Sequence, residues 1–364
     1  MALTDPRLFA VLVALSIVAF SSLLVLWRKL AGRGFIPLVL RALSLLVVNL
    51  LIISSIGVAL NNYGQFYSSW HELLGQREKP PLIVDSPFTK VSKQDIERGH
   101  LTKGGSLIIR RIVRGDVSGI TAEVYVSLPP SFVSALRNSE SIGRNYPVVA
   151  FLSGYPGYET AWIKGMKVVD REDRLVALNK MPEVISVFPQ VNVAGRFDSE
   201  CMNVNGGPQV ESWLSQDVPA FITQWLNISK RPWSLVGYST GGWCSTMLSL
   251  RHPDQFSAAA SIAGYYTPTP ARQITSIERA RLESEYDLYS LLKVKKPNIS
   301  LFIVNSLDDT GSHISTNEFL KEAKKYVGTS EVVLKGAGHN FNAWKQVVDP
   351  ILIWLGSKSA KVNS

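Results

Sequence analysis

Cysteine is nearly absent. Cys201 and Cys244 are the only two in 364 residues, which excludes a disulfide framework and a cysteine-rich zinc site. Charge is sparse as well: 18% of residues are charged and 46% are hydrophobic, the opposite of a disordered chain. No segment recurs at a period of about 20 to 50 residues and no heptads are sustained, which excludes solenoids and coiled coils. Phosphate loops, dinucleotide fingerprints and metal-ligating clusters are missing too, so no cofactor and no metal are expected. Lys and Arg number 38 against 29 Asp and Glu, a net charge of +9. This excess is no nucleic-acid footprint. Arg7, Arg28, Lys29, Arg33 and Arg41 against Asp5 supply +4 of it before residue 42, and the remainder is dispersed.

Uninterrupted apolar sequence is abundant at the start. Leu8–Trp27 carries no charge, and Ile36–Leu60 carries only Arg41, near its beginning. Each run is long enough for a helix to cross about 30 Å of hydrocarbon, and an Arg that close to an end can reach the headgroups. The loop between them holds Arg28, Lys29 and Arg33. The excess of basic residues there predicts a cytoplasmic loop, with everything after Leu60 outside. A cleaved signal peptide is the rival reading, with Gly57-Val58-Ala59 as a weak cleavage site. Both readings export the remainder. An exported compartment permits one bridge between Cys201 and Cys244, but Cys244 falls on a predicted buried helix, where a free thiol is common. The pairing stays open.

The organisation expected is a membrane anchor over 1–62, with spans near 8–27 and 36–60, then a linker over 63–104, a single catalytic domain over 105–358 and a tail over 359–364. Ser106–Val113 and Thr121–Leu128 read as a hairpin around Arg114-Gly115-Asp116. Apolar runs at 147–152, 184–188, 234–236, 258–262, 301–304 and 331–334 read as strands. Helical patterns lie between them at 213–226, 241–251, 315–327 and 343–355. The alternation predicts an α/β fold, a mostly parallel sheet with helices on both faces. Such a sheet puts its site at the carboxyl ends of its strands.

Gly237-Tyr238-Ser239-Thr240-Gly241 is a Gly-x-Ser-x-Gly sequence between a short apolar strand and a helix. That context makes Ser239 a candidate nucleophile on a sharp strand-to-helix turn, with small residues needed at Gly237 and Gly241. A base and an acid are then required, in the chain order serine, acid, histidine. His71 and His100 precede Ser239, His252 ends the nucleophile helix at what reads as the surface, and His313 follows the strand at 301–304. His339, in a loop between the last strand and the last helix, is the base expected. Asp309 is the favoured acid and Asp308 the alternate. The oxyanion hole should use the N–H groups of Thr240 and of Tyr155, within Ser153-Gly154-Tyr155-Pro156-Gly157. Trp162, Trp213, Trp243 and Trp344 read as core or pocket lining.

These landmarks, in this order, resemble a known esterase family. Phe188-Pro189 is followed by Arg196-Phe197-Asp198-Ser199, Glu211-Ser212-Trp213-Leu214 and Asp217-Val218-Pro219. Then come Val236–Gly242, His252-Pro253-Asp254-Gln255-Phe256, Ala258–Gly264 and Gly338-His339-Asn340-Phe341 with Trp344. Over roughly residues 105–356 the chain is similar to the α/β-hydrolase esterases that include antigen 85-type mycolyltransferases and formylglutathione hydrolases. The resemblance implies an α/β-hydrolase fold, a Ser/acid/His triad, and ester hydrolysis or acyl transfer. The mycolyltransferases use Glu as the acid, whereas the candidates here are Asp, and the two apolar runs also depart from those secreted enzymes. The expectation is a serine esterase or acyltransferase of the bacterial cytoplasmic membrane, its catalytic domain extracytoplasmic, with lipid or glycolipid esters of the envelope as candidate substrates. The alternative is an inactive hydrolase-fold binding protein of the envelope.

Overall fold

The computed structural model of the chain describes residues 3, 5–32, 34–64, 70–73, 90–140, 145–195, 197–295, 297–336 and 338–361. The chain divides into an N-terminal unit, Met1–Pro80 with Asn340–Asn342, and a larger unit of Pro81–His339 and Ala343–Ser364.

The N-terminal unit is built on two long helices, Pro6–Leu26 and Phe35–Gly64. The first starts where Asp5 accepts the Arg7 N–H at 2.9 Å and Pro6 occupies the first turn, a position where its missing N–H costs nothing. Stretches of 20 and 28 residues in these helices, with mean hydropathy 2.7 and 2.5, are long and apolar enough to cross a membrane. Arg41 donates to the Leu30 carbonyl at 2.5 Å, and its guanidinium lies 5.3 Å from the Trp27 ring centre. Its charge is thus held against the turn between the helices. Gly57-Val58-Ala59 lies inside the second helix.

The larger unit is a nine-stranded sheet among the described residues, in the order β1-β2-β3-β5-β4-β6-β7-β8-β9. Its strands are β1 His100–Leu101, β2 Leu107–Arg114, β3 Thr121–Leu128, β4 Val148–Leu152, β5 Ile185–Pro189, β6 Trp233–Tyr238, β7 Phe256–Ile262, β8 Ser300–Ser306 and β9 Gly328–Leu334. The expected hairpin forms: β2 and β3 pair antiparallel from Leu107 opposite Leu128 to Arg114 opposite Thr121. β3 pairs antiparallel with β5, and β4 to β9 run parallel. Every residue of β4, β5 and β6 is buried. Both faces of those strands are covered, and this is why they read as continuous apolar runs rather than alternations. The chain leaves β4 for β5 on one side and returns to β6 on the other. The strand order therefore reverses between β4 and β6, and in sheets of this kind ligands bind at the carboxyl ends of the strands at that point.

Several elements differ from expectation. Within the linker expected over 63–104, Lys93–Arg98 form a helix and His100–Leu101 add an edge strand, while 65–69 and 74–89 lie outside the described residues. Helices at Pro130–Asn138, Val168–Ala177, Ser276–Glu285 and Leu288–Lys295 were not anticipated. They are short and bury few apolar side chains; Ser276–Glu285 buries only Leu282. The helix expected at 315–327 begins at Thr310, and the last long helix is Val348–Lys361.

Cys201 and Cys244 are bridged across a sequence separation of 43. The reasoning that a thiol on a buried helix stays free is corrected here. Cys244 is buried on the Thr240–Arg251 helix, and Cys201 is buried within the loop that follows β5 and is tied to that helix by the bridge. Closing a loop of this length in the unfolded chain is worth about 4 kcal/mol. Cys201→Ser and Cys244→Ser should each lower the free energy of unfolding by about that amount, read by denaturant titration. Reductant should do the same to the wild type and nothing further to either variant.

Candidate active site

Ser239 follows the last residue of β6 and precedes the Thr240–Arg251 helix, with φ +56° and ψ −125°. A serine held there costs about 1–3 kcal/mol and persists only where its surroundings fix it. They do: the Ser239 N–H donates to Ile262 O at 2.8 Å, and the Ser239 carbonyl accepts from Gly242 N at 2.8 Å and Trp243 N at 3.2 Å. The two glycines of the motif answer to backbone crowding. A Cβ on Gly237 would lie 1.8 Å from Gly241 O, and one on Gly241 would lie 2.2 Å from Leu152 O. No larger residue fits either position.

His339, from the loop after β9, places Nε2 3.0 Å from Ser239 Oγ. Its Nδ1 lies 2.6 Å from Asp309 Oδ2. With Nδ1–H donating to the carboxylate, Nε2 is free to accept the serine proton. Asp309 sits at the carboxyl end of β8, its N–H donating to Ser306 O at 3.1 Å, where the Thr310–Ala323 helix starts. Its side chain is 13% exposed and that of His339 44%. Asp308, the alternate acid, is exposed, and the carboxylate on the imidazole is that of Asp309. The remaining histidines of the larger unit, His100, His252 and His313, sit elsewhere on it. His100 is on the edge strand β1. His313 is on a helix rather than in a loop, bonded to Asn305 and Asn317. His252 is not a plain surface residue: it is half-buried, its Nε2 2.7 Å from Glu211 Oε1. Burial alone would raise the Glu211 carboxyl, but hydrogen bonds from His252, Arg251 and Tyr286 outweigh it and hold it at about 2. This carboxylate anchors the far end of the nucleophile helix.

Thr240 opens that helix, so its N–H has no partner in the helix itself. The Gly154–Gly157 turn runs against the nucleophile, since a Cβ on Gly154 would come within 3.0 Å of Ser239 Cβ. Gly157 N donates to Gly154 O at 2.7 Å, and Asn192 Nδ2 donates to Gly154 O at 3.0 Å and Gly157 O at 2.5 Å. These bonds fix the Gly154 carbonyl, and in a trans peptide the Tyr155 N–H points the opposite way. Asn192 carries no motif signal and sequence reasoning missed it.

A second missed group lies beside Thr240. Glu200 is buried, and its carboxylate accepts from Tyr265 Oη, Thr269 N and Thr269 Oγ1. Its carbonyl accepts from Trp243 Nε1 at 2.9 Å. The Tyr265 ring in turn stacks on Trp243 of the helix that Thr240 opens, centres 5.7 Å apart at 4°. Burial raises the Glu200 carboxyl, and raises that of Asp198 to about 6. Glu200 and Cys201 both have positive φ, at 50° and 60°, next to the bridge to the nucleophile helix. Among the described residues no group of His, Cys, Asp and Glu is placed to hold a metal.

The family model described as Esterase matches residues 119–355. Among curated proteins, the MPT51 antigen of Mycobacterium leprae is 27% identical over 142 residues, 38% of this chain and 46% of that protein. The chain spans about half the length of the curated relatives it matches. Among solved structures, a ferulic acid esterase superposes with a TM-score of 0.59 at 20% identity, over 70% of this chain and 98% of the other. An S-formylglutathione hydrolase from Agrobacterium tumefaciens superposes with a TM-score of 0.57 at 17% identity, over 71% and 97%. At those identities the structures speak for the fold, which is that of the α/β-hydrolases. The family model covers β3 to β9 and the turns at their carboxyl ends, and the chain accordingly belongs to the esterase family.

Proposed function

We propose that the chain is a membrane-anchored serine esterase or acyltransferase that works through Ser239, His339 and Asp309. The observation that carries this reading is one imidazole bonded to a serine hydroxyl on one nitrogen and to a half-buried aspartate on the other. His339 Nε2 takes the proton of Ser239 Oγ as that oxygen attacks an ester carbonyl. The N–H groups of Thr240 and Tyr155 receive the oxyanion, aided by the helix N-terminus behind Thr240. The C–O bond breaks, and the alcohol leaves with the proton from His339. Water or a second alcohol then gives its proton to His339, attacks the acyl-enzyme and releases Ser239. Asp309 holds the ring and faces the charge that the imidazole gains.

In this reading residues 1–62 are the anchor, the segment after them a linker, and 105–358 the catalytic domain. The basic residues between the two apolar helices favour a cytoplasmic turn, which puts the catalytic domain outside. The Cys201–Cys244 bridge supports the same side, because disulfides persist in oxidising compartments. A site tethered to the outer face meets lipid or glycolipid esters at high local concentration. The test is hydrolysis of p-nitrophenyl esters of increasing acyl length by the full-length protein in nanodiscs, with protease protection in sealed right-side-out vesicles reporting the side of the membrane on which the catalytic domain lies. Turnover of long-chain esters with the domain outside is the expected result. A folded, correctly oriented protein inert to every ester would overturn the reading.

A further inference from the structure

His339 is the least enclosed of the three side chains proposed as the triad, and only its two nitrogens are held by hydrogen bonds. One of those bonds is temporary. Once Ser239 is acylated, its oxygen no longer carries a proton, and the ring must stay in place for the second half of the reaction with Asp309 as its sole bonded partner. The face and edge of the ring are restrained by something else. Trp344 is buried, and its ring meets the His339 ring edge to face, centres 4.9 Å apart and planes at 89°. Trp344 is itself stacked on Tyr238, 4.9 Å apart at 26°. Tyr238 is the residue before the nucleophile, and Trp162 and Phe151 pack in series behind it. The oxyanion turn rests on the same side chain, since a Cβ on Gly157 would lie 2.9 Å from Tyr238 Oη. One aromatic series thus touches the base loop, the nucleophile strand and the oxyanion turn.

We propose that Trp344 is a positioning residue for His339, and that its contribution is largest in deacylation, when the bond to Ser239 Oγ is lost. The proposal rests on the triad reading above. A ring free to rotate about its side-chain torsions would spend part of its time away from the attacking water, and a misplacement of about 1 Å costs up to about a hundredfold.

The experiment compares the full-length wild type with Trp344→Met and Trp344→Leu, which fill volume without a ring, and with Trp344→Phe, which keeps one. Each is mixed rapidly with p-nitrophenyl butyrate and sampled by intact mass, with Ser239→Ala in parallel. Either ringless variant should lose about tenfold in kcat, with KM falling in step so that kcat/KM changes little. It should show a distinct burst of p-nitrophenol and accumulate a butyryl adduct on Ser239, and Trp344→Phe should recover most of the loss. Ringless variants with wild-type kcat and no adduct would overturn the proposal. So would a loss confined to a higher KM with kcat unchanged, or one that the Phe variant shares in full, since either would mark Trp344 as packing only. If Ser239→Ala keeps its activity, the triad reading fails first; if Ser239→Ala is inert and the Trp344 variants behave as wild type, only this inference falls.

Discussion

Ser239→Ala is expected to lower kcat for ester hydrolysis about a millionfold while leaving KM little changed. The magnitude follows from what the hydroxyl does. In the proposed mechanism it supplies the atom that bonds to carbon, so its removal would force any remaining reaction through direct attack by water, aided only by the proposed oxyanion donors, the N–H groups of Thr240 and Tyr155. The substrate still binds, because Oγ is a small part of the contact surface. The fold should not suffer, since alanine keeps the Cβ, and the bonds that fix the turn are all from backbone: Ser239 N to Ile262 O, and Gly242 N to Ser239 O. Steady-state kinetics beside thermal melting separate the two effects. An alanine variant that melts like the wild type and retains more than a hundredth of its rate would mean that another residue is the nucleophile.

Asp309→Asn should cost about ten-thousandfold in kcat with the geometry intact, whereas Asp308→Asn should stay within about twofold, as exposed substitutions away from a site do. An asparagine amide presents an N–H as readily as an oxygen. It therefore lets His339 settle with Nδ1 as acceptor and Nε2 protonated, the tautomer that cannot take the serine proton. The aspartate also offsets the charge of the imidazolium formed in the transition state, and a neutral amide does not. Comparing the two variants at matched stability decides between the aspartates, because only Asp309 lies 2.6 Å from the ring. Equal losses in both, or a larger loss in Asp308→Asn, would reverse the assignment.

How much of this was legible in the sequence depends on how local the cause is. Gly237, Ser239 and Gly241 are dictated by contacts within the turn and with the strand end beside it, so a five-residue pattern carries them. The buried central strands were legible because a strand covered on both faces must be largely apolar, as β4 and, but for Ser234, β6 are. His339 and Asp309 could be named because an α/β sheet places strand-end loops together, although only geometry separates Asp309 from its neighbour. Asn192, Glu200 and Tyr265 were not legible. Each acts through one or two bonds to residues distant in sequence, and a lone polar residue in a loop gives no periodic signal. The disulfide was misjudged for a related reason: burial of Cys244 was foreseen, but its approach to Cys201 is a product of how the loop after β5 folds back on the helix. The polar helix Ser276–Glu285 escaped because a helix with one buried side chain leaves almost no hydrophobic pattern.

The most direct test of an activated serine is covalent labelling of the purified full-length protein, in detergent, by a fluorophosphonate, followed by peptide mass mapping. One adduct per chain, on Ser239, is the predicted result, with labelling abolished in Ser239→Ala and strongly slowed in His339→Ala. A folded protein that takes up no label would contradict the triad and leave a hydrolase-fold binding protein as the better description, and an adduct on a residue other than Ser239 would contradict it by placing the nucleophile elsewhere.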